Sequence, residues 1–87
     1  MENSNTGSVP GGQTTPLTFG QKAVGITFNP GGDLNVAKAK QLCAEAIDLL
    51  IATPFDVGSE GAAMKEEAIR QLQTAQMWAV KVITWKE

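Results

Sequence analysis

The sequence predicts an all-α protein: an antiparallel two-helix hairpin, preceded by a disordered tail and a short extended segment, assembled as a symmetric homo-oligomer. Two runs with apolar residues at steps of three and four predict the helices. A Thr53-Pro54 break and a short connection between the runs predict their antiparallel pairing. A hairpin of this size buries too little surface to be stable alone, which predicts the assembly.

Residues 1–16, MENSNTGSVPGGQTTP, are rich in Ser, Thr, Asn, Gly and Pro and read as a flexible tail; residues 17–87 form the hairpin domain. Val24, Ile26 and Phe28 alternate with Gly25 and Thr27, which predicts a short extended segment with one side buried. Asn29-Pro30-Gly31-Gly32-Asp33 is a turn, because Pro30 pushes Asn29 out of the helical region and the glycines permit positive φ. Asp33 is an N-cap for a helix over about 34–52, with Val36, Ala39, Cys43, Ile47 and Leu50 on its apolar stripe. Ser59-Glu60 opens a second helix over about 60–86. Its seam is Met64, Ala68, Leu72, Ala75, Ala79 and Val82. Glu66 and Glu67 early and Lys81 and Lys86 late complement its dipole.

At 1.5 Å per residue the two helices span about 28 and 40 Å. Folding the hairpin at residue 56 places Leu34 near Trp78 and leaves an overhang carrying Val80, Val82, Ile83 and Trp85. Those side chains are costly to leave in water. The 17–28 segment, another subunit, or both must cover them.

Composition narrows the function. The chain is 43% hydrophobic and 18% charged, too apolar for disorder throughout and too polar for a membrane protein. A formal charge of −2 argues against a nucleic-acid polymer as partner. With no histidine and one cysteine, Cys43, the chain lacks the parts for Ser-His-Asp or Cys-His catalysis, a Cys/His zinc site or an internal disulfide. We therefore expect no catalytic residues, no metal and no cofactor. The N-terminus shows neither a basic nor an apolar leader region, and no stretch approaches a membrane span, so a cytoplasmic location is expected.

One end of the hairpin gathers the candidate chemistry. Lys38 and Lys40 sit in the first two helical turns, where the dipole disfavours cations, and a broken local rule points to a partner charge. Backbone N–H groups at a glycine-rich helix start plus a lysine form an anion site. Phe28 offers a face for stacking a base. Each signal has a plainer competitor. Surface lysines are usually solvated, Phe28 suits a core plug, and Pro-Gly-Gly suits a bare turn. Trp78 and Trp85, seven apart, suit packing or an interface, and Cys43 suits a small buried hydrophobe. Glu45 and Asp48 read as a solvated face rather than paired acids.

Three blocks carry a resemblance: Ile26-Thr27-Phe28-Asn29-Pro30-Gly31-Gly32-Asp33, Ala37-Lys38-Ala39-Lys40-Gln41-Leu42 and Thr74-Ala75-Gln76-Met77-Trp78-Ala79. Over residues 24–87 the chain resembles the helical-hairpin family of phage anti-CBASS and anti-Thoeris sponge proteins. The resemblance implies a protein that sequesters cyclic dinucleotides such as cGAMP without cleaving them, in the cytoplasm of an infected bacterium. It also implies symmetric oligomers, often hexamers, with ligand held between subunits. In that family the aromatic residue before the turn stacks on a base and a lysine of the first helix meets phosphate. Those roles fall on Phe28, with Asn29, Pro30 and Gly31 behind it, and on Lys38, or on Lys40 because the loop is short. Phe28 in place of a tyrosine loses a hydroxyl and keeps the stacking face. Some relatives hold cyclic trinucleotides at a second site through an arginine late in the second helix. Here Trp85 stands at that place, beside Lys86.

Two alternatives accompany this expectation. Anti-Thoeris relatives capture cyclic ADP-ribose isomers. A hairpin with exposed tryptophans also suits a module that binds a host protein.

Overall fold

A computed structural model of the chain describes residues 16–87 and has three helices: α1 (Phe19–Ala23), α2 (Leu34–Ile51) and α3 (Glu60–Thr84). The all-helical class is the one the sequence predicts. Residues 1–15 of the expected tail lie outside the described residues.

The segment before the turn is not extended. Thr18 caps α1 with its hydroxyl accepting from the Gln21 N–H at 3.1 Å, while the Gln21 side chain accepts from the Thr18 N–H at 2.9 Å. This reciprocal pair is a capping box, which satisfies two otherwise unpaired N–H groups at the start of a helix. Gly25 then takes φ +62°, and the chain turns from Val24 to Thr27. The Ile26 N–H returns to the Gln21 carbonyl at 2.9 Å, so the alternating apolar residues lie on a turn rather than a strand.

α2 begins where Asp33 accepts from the Asn35 and Val36 N–H groups at 2.7 and 3.2 Å. It ends at Ile51, three residues before Pro54. α3 begins where the Ser59 hydroxyl accepts from the Ala62 N–H at 3.1 Å, and Gly58 supplies φ +84° in the connection. On the exposed face of α3, hydrogen bonds from Arg70 and Gln71 hold the Glu67 carboxyl below its ordinary pKa range.

α2 lies between the other two helices. Val24, Ala44, Ile47 and Ile69 form the buried cluster, with Cys43, Leu50 and Leu72 packed against it. α1 approaches α2 closely: a Cβ on Gly20 would lie 2.1 Å from the Ala44 carbonyl oxygen, so only glycine fits. The Gly20 N–H donates to Asp48 Oδ1 at 2.7 Å, so Asp48 faces α1 and is half-buried instead of solvated as the sequence suggested. Gln73 Nε2 donates to the Ala23 carbonyl at 3.1 Å and ties α3 to the end of α1. The start of α2 lies beside the last turns of α3, and the end of α2 beside the first turns of α3. The two long helices therefore run in opposite directions.

Candidate functional site

The site is built on the loop between α1 and α2. The Phe28 N–H donates to the Gly25 carbonyl at 2.9 Å, closing a tight turn. Pro30 and Gly31 follow in a second turn, closed by the Gly32 N–H on the Asn29 carbonyl at 2.9 Å with Gly32 at φ +65°. Asn29 Nδ2 reaches the Asp33 carbonyl at 3.0 Å and ties the loop to the helix start.

Lys40 braces this loop from α2. Its ammonium donates to the Gly25 carbonyl at 2.8 Å and to the Phe28 carbonyl. The same ammonium lies 5.4 Å from the centre of the Phe28 ring, within cation–π range. Its side chain is only 4% exposed, so Lys40 is not the solvated lysine that residue habits favour. An ammonium has three N–H donors, and these contacts use two. Phe28 itself is 72% exposed, so it is no core plug.

The loop, α2 and α3 line a half-open cavity of about 510 Å³, within the range of small-molecule sites. Val24, Gly25, Phe28, Asn29, Pro30 and Gly31 line it from the loop; Asp33, Val36 and Lys40 line it from α2. Gln76, Met77, Val80 and Thr84 close it from α3. Five of the seven residues expected at the site, Phe28, Asn29, Pro30, Gly31 and Lys40, are thus brought together. Lys38 is not among the lining residues. Two positions from Lys40 it lies about 200° around α2 and is exposed. Trp85 is also outside the cavity. It is the extended residue that follows α3 and stands exposed near Trp78, with the Lys81 ammonium 5.0 Å from the Trp78 ring and 5.6 Å from the Trp85 ring.

The expected backbone anion site takes a different form. The Asp33 carboxylate already accepts from the Asn35 and Val36 N–H groups, so the start of α2 is occupied by its own cap. Positive charge at the cavity comes from a side chain, Lys40. The α3 wall was not singled out among the candidate residues: Gln76 and Met77 entered through the Thr74–Ala79 block and Val80 through the overhang. A second cavity of about 280 Å³ lies at the other end of the hairpin, among Leu50, Phe55, Met64 and Ala68. There Lys65 donates to the Thr53 carbonyl at 2.7 Å and lies over the Phe55 ring at 5.8 Å. Among the described residues no group of three or more His, Cys, Asp or Glu side chains is placed to hold a metal ion. No helix among them is long and apolar enough to cross a membrane. No family model, curated protein or solved structure matches the chain.

Proposed function

We propose that this protein binds cyclic dinucleotide second messengers and sequesters them uncleaved, acting as a symmetric homo-oligomer in the cytoplasm of an infected bacterium to block CBASS signalling. The observation that carries the reading is the pairing of a solvent-facing Phe28 with a buried cation, Lys40, on one wall of a cavity of about 510 Å³. A flat aromatic face and an adjacent ammonium suit a base and its phosphate. The sequence blocks around Phe28, Lys38 and Met77 support the same reading through their resemblance to the phage sponges.

Symmetry adds a physical argument. A cyclic dinucleotide has two bases, two phosphates and approximate two-fold symmetry, and a two-fold interface presents every residue twice. Two copies of the cavity supply one aromatic face per base and one Lys40 per phosphate. Lys38, on the far side of α2 from its own cavity, meets ligand only across a boundary between copies. Sequestration is stoichiometric and uses no general base, nucleophile or metal.

The test is to mix purified protein with excess cGAMP, remove free ligand, heat the complex and chromatograph what is released. Intact cGAMP at stoichiometric yield is the expected result. A linear or hydrolysed product, or no retained ligand, overturns the proposal. Cyclic ADP-ribose isomers in the same assay decide between the two sponge classes. The exposed Trp78–Lys81–Trp85 face favours a second reading, a module that binds a host protein; there Trp78→Ala abolishes the protein interaction with no nucleotide involved.

A further inference from the structure

The cavity contains one buried polar group that the fold does not use. Gln76 is 7% exposed and lines the cavity wall between Met77 and the Phe28 loop. Lys40, the other buried polar side chain, spends two of its three N–H groups on loop carbonyls, and the third is the one assigned above to phosphate. The glutamines nearby on α3 are also occupied: Gln73 donates to the Ala23 carbonyl and Gln71 to Glu67. The Gln76 carboxamide has no hydrogen-bond partner among the described residues. A buried amide left unpaired raises the free energy of the empty protein, and such a group calls for an explanation. An apolar side chain of similar volume would line the cavity beside Val24, Val36 and Val80 without an unmet amide.

We infer that Gln76 is a specificity-determining residue of the cavity, whose carboxamide pairs with the edge of an adenine held beside Phe28. This rests on the proposed capture of cyclic dinucleotides. A carboxamide presents a donor and an acceptor side by side in one plane. The adenine edge shows the complementary pair, an N6 donor beside the N7 acceptor, so both groups are met at once. The same N7 edge of guanine shows two acceptors, N7 and O6, and leaves the Gln76 oxygen unpaired; guanine meets both groups only through its other edge, O6 beside N1–H, which requires the base to be turned over in the cavity. A site built to pair a polar group rejects the ligand that leaves the group unmet, because its desolvation is then uncompensated. Phe28 stacks on either base, so stacking supplies affinity and Gln76 supplies the choice.

The experiment compares wild type with Gln76→Met, which keeps length and helix propensity, and with Gln76→Leu, which keeps volume. Cyclic di-AMP, cGAMP and cyclic di-GMP are titrated into each by calorimetry, and ligand-free melting is recorded. Wild type is expected to bind cyclic di-AMP tightest, with cGAMP about tenfold and cyclic di-GMP about a hundredfold weaker, because each ligand meets two copies of Gln76 and each guanine in place of adenine loses one bidentate contact. Both variants are expected to melt no lower than wild type without ligand and to bind the three compounds equally. A variant that keeps the wild-type preference, or a wild type without one, overturns the role of Gln76 while leaving the sponge reading intact. Both variants melting well below wild type also overturns it, because Gln76 is then structural. No binding of any of the three by wild type overturns the sponge reading and this inference together.

Discussion

Lys40 and Lys38 differ by two positions in sequence and by most of a half-turn in space, and their substitutions separate accordingly. Lys40→Met leaves the Gly25 and Phe28 carbonyls without their shared donor, and the expected loss of stability is about 1–3 kcal/mol, read by urea unfolding. Lys38→Ala, on an exposed position, is expected to stay within about 0.5 kcal/mol of wild type. Phe28→Ala is expected to leave melting nearly unchanged, because the ring is largely in solvent, and to weaken cyclic dinucleotide binding about tenfold to a hundredfold. The aromatic residue, the turn behind it and a helix-start lysine were legible as candidates in the sequence. Which lysine faces inward was also written in the helix register, because Lys40 is in step with Val36, Ala44 and Ile47 and Lys38 is not, although the resemblance put Lys38 first; the carbonyls that Lys40 meets were not legible, since the turn at Gly25 presents them.

Among the elements, α1 is where sequence pattern and structure part. The Val24, Ile26, Phe28 alternation reads as a strand, yet the Thr18-x-x-Gln21 box just upstream is a helix-start signature, and it wins locally. α2 and α3 were legible because their caps, Asp33 and Ser59, and their apolar steps agree with each other. The docking of α1 rests on contacts 28 and 24 residues apart in sequence, Gly20 with Asp48 and with Ala44, which no local pattern reveals. Gly20→Ala puts a methyl against the Ala44 carbonyl and is expected to cost about 2–3 kcal/mol. Because α1 leads directly into the Phe28 loop, the same substitution is expected to lower ligand affinity, which paired melting and titration measurements check.

The whole molecule leaves much of its apolar surface in solvent. Among the described residues Met77, Trp78 and Val82 stand exposed on the last turns of α3 and Trp85 just beyond its end, while the buried hydrophobic residues are Val24, Val36, Ala44, Ile47 and Ile69. Of the overhang that the helix-length arithmetic placed after Trp78, Val80 and Ile83 are half-buried, and Val82 and Trp85 stay exposed because α1 does not cover them. On the account proposed here a second copy does. Light scattering is then expected to give a mass that is a multiple of the 9.2 kDa chain, and Trp78→Glu, on an exposed side chain, is expected to dissociate the assembly without unfolding each chain. A monomeric wild type at micromolar concentration contradicts that expectation. Capture of a two-fold ligand by paired cavities also fixes a stoichiometry. Calorimetric titration of the wild-type protein with cGAMP is the most direct measurement: the account requires tight binding at one ligand per two chains. Absence of heat at any protein concentration contradicts it.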